Sequence, residues 1–127
     1  MRVLRFLATL VVIAGSLLPG GSAALHAISL LHVNDKAQHF LAYAVLAWFA
    51  AWMESRPTAW GVCLRLAGLG VLLELLQLLV PGRSCDLADA AADLGGVFCG
   101  LILGTALVSA RKIAMRSVRS GVSDLFL

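Results

Sequence analysis

Residues 70–96 read GVLLELLQLLVPGRSCDLADAAADLGG, and their interpretation decides the fold. Up to Val80 the stretch is a leucine-rich, lipid-soluble helix, yet Glu74 and Gln77 interrupt it. Pro81-Gly82 then breaks the helix, and Arg83, Asp86, Asp89 and Asp93 follow within eleven positions. A single continuous span would carry these groups through hydrocarbon. Two helix ends joined by a short hairpin would instead gather them at one membrane face.

Composition favours the second arrangement. The chain has 127 residues, of which 61% are hydrophobic and 13% charged, and its mean hydropathy is +0.94. Soluble domains carry roughly 45–50% apolar and about 25% charged residues. A chain this short cannot hide the excess in a water-soluble core. The expectation is a single all-α integral membrane domain over 1–127, built as a four-transmembrane-helix bundle.

A span needs about 20 mostly apolar residues. The candidates are 3–18, ended by Pro19-Gly20-Gly21, then 36–53, 60–80 and 87–110, with a basic cytoplasmic tail over 111–127. Lys/Arg bias orients them. With the N-terminus inside, the inner side holds Arg2, Arg5, Arg56, Arg65 by snorkelling, Arg111, Lys112, Arg116 and Arg119. The outer side holds only Lys36 and Arg83. Trp52 and Trp60 flank the same inner turn, with Trp48 one helical turn deeper, as interfacial tryptophans do. Both termini are therefore expected in the cytoplasm. A rival reading takes residues 1–27 as a signal peptide cleaved after Ala24 or Ala27, which leaves three spans and the same outer polar groups. SAALHAISLLHV, residues 22–33, places Ser22, His26, Ser29 and His32 on one stripe, the wet face of a short outer interfacial helix.

With this topology three helix ends converge outside. They bring together Asp35, Lys36, His39, Tyr43, Glu74, Gln77, Arg83, Asp86, Asp89 and Asp93. His39/Tyr43 and Asp89/Asp93 are i,i+4 pairs and Glu74/Gln77 is an i,i+3 pair, so each pair shares a helix face. Glu74 lies seven residues before Pro81, about 10 Å below the expected helix end at ~1.5 Å per residue. An ionised carboxylate there costs about 2.5–3.5 kcal/mol, which the surrounding leucines offset at ~0.3–0.6 each. They give it no partner. Glu74 is expected to turn inward and either meet a basic group or take up a proton.

A plain structural role competes for each of these residues. Asp35, Asp86 and Asp89 suit helix N-caps or first-turn acids, and Lys36 and Arg83 suit interfacial anchors. Gly96, Gly100 and Gly104 form a GxxxGxxxG ridge that allows close helix approach, either within the chain or with a second copy in a homo-oligomer. Cys63, Cys85 and Cys99 make no CxxC pair, and of the three only Cys85 is expected to be exposed. A metal site from His39, Glu74 and Asp89 lacks a diagnostic spacing such as HExxH, and Lys36 and Arg83 would compete for its carboxylates. Neither metal nor cofactor is expected. No phosphate-cradling glycine loop, no GxSxG and no nucleic-acid motif occurs.

DKAQHFLAY (35–43), ELLQLLVPGR (74–83) and DAAADLGGVFCG (89–100), in this order and spacing, resemble the VanZ-like family, whose founding member is a teicoplanin-resistance protein. The resemblance covers about 17–104. Its polar motif residues fall on Asp35, Lys36, His39, Glu74, Gln77, Arg83 and Asp89. Asp93 stands where the family usually has Asn, which adds a charge. The resemblance implies a small bacterial envelope protein, linked in some members to reduced glycopeptide sensitivity, without a settled mechanism.

Three functions follow as expectations. In the first, the outer site binds or acts on an envelope lipid or lipid-linked glycan. Lys36 and Arg83 hold an anion, His39 and Glu74 transfer protons, and Gln77, Asp89, Asp93 and Tyr43 complete the ligand contacts. In the second, the cluster clips a small bundle that presents a surface to a partner or a glycopeptide. In the third, Glu74 carries protons for transport of an amphiphile.

Overall fold

The computed structural model describes residues 2–30, 34–53 and 59–123, and all secondary structure among them is helical. Five helices succeed one another: α1 (Arg2–Ser16), α2 (Ala23–Ser29), α3 (Asp35–Met53), α4 (Ala59–Gln77) and α5 (Leu87–Ser123). Of the residues considered above, His32 and Arg56 lie outside the described residues, as do the side chains of Arg2, Ser29 and Arg119.

Local chemistry sets the helix starts. The Asn34 side-chain oxygen accepts the Lys36 amide at 3.0 Å, so Asn34 caps α3 and Asp35 is its first-turn acid. Asp86 caps α5 by accepting the Ala88 amide at 2.8 Å, with Asp89 in the first turn. Ser22 caps α2, its hydroxyl accepting the Leu25 amide at 3.3 Å. The short helix expected between the first two long ones is thus present, over Ala23–Ser29.

Two boundaries differ from the sequence reading. α4 ends at Gln77, not at Val80. Pro81 disfavours α geometry in the residue before it, and the chain tightens into i→i−3 turns, with Leu79 donating to Leu76 and Val80 to Gln77, both at 3.0 Å. Conversely, α5 runs 37 residues and continues past Ala110 through the basic segment, whose Arg, Lys, Ala and Met are good helix formers. The tail over 111–123 is helix.

α3 and α5 make the largest interhelical contact. Gly96, Gly100 and Gly104 are buried against Phe40, Ala44, Ala47, Trp48 and Ala51 of α3. A Cβ on Gly100 would fall on the Ala44 carbonyl oxygen, and one on Gly104 would lie 2.6 Å from the Ala51 Cβ. Of the two partners open to the ridge, α3 of the same chain occupies it. Around this seam sit Tyr43, Ala47, Ala50, Ala51, Val62, Val97 and Leu101, a core of mostly small side chains.

The polar ends gather at one pole. The Gly20 amide donates to the Pro81 carbonyl at 3.1 Å, and Gly82, at φ 74°, meets Gly20 so closely that a Cβ on Gly20 would overlap the Gly82 carbonyl. At the opposite pole the Arg111 guanidinium stacks 5.8 Å above Trp52, whose ring lies 6.0 Å from Trp48.

Two helices, Ala59–Gln77 and Leu87–Val118, are long and apolar enough to cross a membrane by length and composition. The four expected spans are not all supported on that criterion. α1 has 15 residues, roughly 22 Å at ~1.5 Å per residue against ~30 Å of hydrocarbon. α3 begins with Asp35, Lys36, Gln38 and His39, which lower its apolar character. Only 22% of the most apolar window of α4 and 33% of that of α5 is buried inside the molecule, unlike the core helix of a soluble protein. Cys99 is exposed as well as Cys85, because it points away from the α3 seam.

Candidate functional site

The three helix ends bring the sequence-selected polar residues into one cluster, and α1 adds a fourth end. Three ties hold the cluster's frame. Lys36 Nζ donates to Asp86 Oδ2 at 2.6 Å and to Asp89 Oδ1 at 3.1 Å, linking α3 to α5. The Gln77 side-chain amide donates to the Ser16 carbonyl at 2.9 Å. Arg83 donates through Nε to the Leu18 carbonyl at 3.3 Å and through Nη2 to that of Gly15 at 3.5 Å. The last turn of a helix leaves carbonyls without intrahelical donors and carries partial negative charge. Gln77 and Arg83 satisfy both needs of α1. Arg83 Nη1 also lies 3.7 Å from Asp35 Oδ2, a loose pair because Asp35 is half exposed.

Lys36 is the first cause of a lowered Asp86 pKa, with the Ala88 amide second. That pairing supports the fold above the ordinary carboxylate value of 3.8 and fades as pH falls through the lowered one. Local burial and then the nearby Glu74, Asp86 and Asp89 carboxylates push the Cys85 thiol up. Cys85 is therefore a poor nucleophile at neutral pH despite its exposure.

Inside this frame lie His39, Tyr43, Glu74 and Asp93. His39 Nδ1 and Asp93 Oδ1 are 3.0 Å apart. The two groups share a proton, and the contact fixes the ring so that Nε2 is the nitrogen free of Asp93. Asp93 is 3% and Glu74 4% exposed. Glu74 forms no ion pair among the described residues, although a His39 nitrogen lies within 4.8 Å of one of its oxygens. Its Oε2 accepts the Asp86 amide at 3.0 Å, and its Oε1 is buried without a hydrogen-bond partner. The Tyr43 hydroxyl is likewise buried and unpartnered. The expected depth of Glu74 is corrected by the early end of α4. The carboxylate stands in the last turn, roofed by the 81–86 hairpin that folds back over it.

Gly70 explains how these groups fit. A Cβ there would lie 2.9 Å from Asp93 Oδ2 and 3.3 Å from the Tyr43 hydroxyl oxygen. The glycine in α4 makes room for both. Asn34, Ser16 and Gly70 are participants that the sequence reading did not select. Only Asn34, directly before the DK motif, carried a local signal as a cap.

A cleft of about 180 Å³ opens between α1 and α3 beside this cluster. Val11, Val12 and Leu25 give it an apolar wall, while His39, Tyr43 and Arg83 give it a polar one. An outer groove of about 430 Å³, over Gly20, His26, Gly82 and Arg83, adjoins it through Arg83 and Asp35. Such a two-sided cleft suits a molecule with one charged end and one hydrocarbon end. Comparison with protein-family models gives no match, and comparisons with curated proteins and with solved structures give none either.

Proposed function

We propose that this chain is a VanZ-like protein of the bacterial inner membrane that binds an anionic envelope amphiphile, a lipid or lipid-linked glycan, in the cleft between α1 and α3. The observation carrying this reading is the cleft itself. Arg83 and His39 face Val11, Val12 and Leu25 across a space open at the polar pole. All four long helices are read as membrane-embedded, with the polar pole outside and both termini in the cytoplasm. The Lys/Arg bias, the inner tryptophans and the exposed Phe6, Val11, Leu41 and Val45 on the two weaker candidates support this topology.

The geometry refines the division of labour. Lys36 is held by two carboxylates, Asp86 and Asp89, whereas Arg83 is bonded to α1 carbonyls, only loosely paired with Asp35, and lines the cleft, so Arg83 is the cation placed to meet a phosphate or carboxylate head group. His39, oriented by Asp93, presents Nε2 as the base nearest the bound head group. Altered sensitivity to teicoplanin would follow from sequestering or modifying such an envelope precursor.

The test is native mass spectrometry in nanodiscs with a polyprenyl phosphate and its neutral alcohol. The phosphate is expected to bind at least about tenfold more tightly, and Arg83→Lys to reduce that preference, since Lys loses the planar fork. Equal binding of both amphiphiles by folded wild-type protein would sink the proposal. A second reading, a non-catalytic scaffold, is favoured by the Lys36, Gln77 and Arg83 ties that join helix ends. On that reading cluster variants lose membrane abundance and phenotype together, and no amphiphile selectivity is seen.

A further inference from the structure

One nitrogen of His39, one oxygen of Glu74 and one of Asp93 all lie within 4.8 Å of one another. We propose that these three side chains bind one divalent transition cation, with zinc as the representative. This goes beyond amphiphile binding and does not depend on it.

The first argument is charge. The basic side chains that would compete for the carboxylates are engaged elsewhere: Lys36 holds Asp86 and Asp89, and Arg83 faces Asp35 and the α1 carbonyls. Glu74 and Asp93 are left almost wholly buried, each with an oxygen within 4.8 Å of a His39 nitrogen. Two carboxylates so close at low dielectric ionise together only beside a counter-charge. A divalent cation cancels both charges at once.

The second argument is the orphaned oxygen. Glu74 Oε1 has no partner, while Oε2 of the same group is fixed by the Asp86 amide. The hydrogen bond thus orients the carboxylate and leaves its other oxygen available, the arrangement that surrounding hydrogen bonds impose on metal-binding carboxylates.

The third argument is ligand chemistry. Two ligands on a tetrahedral zinc, each at ~2.0–2.1 Å, lie about 3.3 Å apart. Nδ1 of His39 and Oδ1 of Asp93 stand 3.0 Å apart across the proton they share; zinc would take that proton's place, so binding releases a proton and draws the Glu74 oxygen in from within 4.8 Å. One imidazole with two carboxylates suits zinc and neighbouring transition ions. Calcium takes six to eight oxygens and magnesium a near-octahedral oxygen shell, neither of which three mixed ligands approach. The second grouping, Asp35, His39 and Asp89, is weaker, because Asp35 is exposed and Asp89 is paired with Lys36. Three protein ligands leave a fourth position open, as in catalytic zinc sites. The unpartnered Tyr43 hydroxyl lies beside Asp93 over Gly70.

The full chain, purified in nanodiscs and stripped with chelator, is titrated with zinc against a competing chromophoric chelator. One equivalent per chain is expected. Glu74→Gln and Asp93→Asn should each weaken binding by at least about tenfold, while Cys99→Ser, on the exposed side of α5, leaves it unchanged. Should the first two variants misfold, zinc-edge X-ray absorption on the wild type decides. Imidazole with oxygen donors supports the site, whereas a sulfur donor moves the metal to a cysteine and overturns it. Absence of stoichiometric binding, or unchanged affinity in folded Glu74→Gln and Asp93→Asn, also overturns it. Amphiphile binding measured on the stripped protein separates this outcome from failure of the cleft reading.

Discussion

Two buried polar residues one helix apart illustrate how differently similar groups act. Gln77 and Tyr43 are both 1% exposed. Gln77 donates to the Ser16 carbonyl, whereas the Tyr43 hydroxyl has no partner. Replacing Gln77 with Met should orphan a helix-end carbonyl and destabilise the protein by about 1–3 kcal/mol. Replacing Tyr43 with Phe removes a desolvated hydroxyl that nothing satisfies, and should leave stability unchanged or raised. Denaturant unfolding in a fixed detergent checks both, and a larger loss for Tyr43→Phe than for Gln77→Met would refute the assignment. At this scale, sequence spacing showed which residues share a face, as with His39/Tyr43 and Asp89/Asp93. It could not show that Lys36 reaches Asp86, or that Asp93 is the partner of His39, because those contacts join separate helices. Glu74 read as a deep carboxylate only because the helix was extended to Pro81.

Among the elements, the α3–α5 seam is the most constrained. The glycine ridge announces a close contact through its spacing alone, but its partner depends on the run of alanines in α3 that supplies a matching smooth face. Gly100→Leu should force the helices apart against the Ala44 backbone and cost at least about 1–3 kcal/mol. Reduced thermal stability and reduced membrane abundance would register it, and a neutral result would mean that the seam is looser than described. The ends of α4 and α5 were hard to place for opposite reasons. Hydropathy continues beyond Gln77 after α geometry has stopped, and it falls after Ala110 while helix propensity persists. The caps at Asn34 and Asp86, by contrast, are local chemistry and lie in plain view in the sequence.

For the molecule as a whole, the all-helical class and the gathering of polar residues at one pole were legible from composition and order. The four spans expected from the sequence are supported by length and composition for two helices only, since α1 is short and α3 starts with a polar turn. The proposed topology makes its own prediction. The protein should resist carbonate extraction, a C-terminal fusion to a cytoplasm-only fluorescent reporter should be active, and a reporter inserted beside Ser84 should be active only outside. Reversal of the last two signals would invert the orientation and place the cleft on the inner face.

The unequal grip on α1 and α3 has a mechanical corollary. α3 is locked to α5 backbone against backbone, whereas α1 is fastened chiefly by the Gln77 and Arg83 side chains and by the Gly20–Pro81 hydrogen bond. The cleft therefore has one rigid jaw and one hung from a glycine-rich pivot at its polar end. Enlargement would come most easily from α1 swinging at its far end, which widens the apolar end of the cleft before the polar mouth. For the proposed amphiphile, a long hydrocarbon tail would then enter sideways and leave its head group to be met last by Arg83.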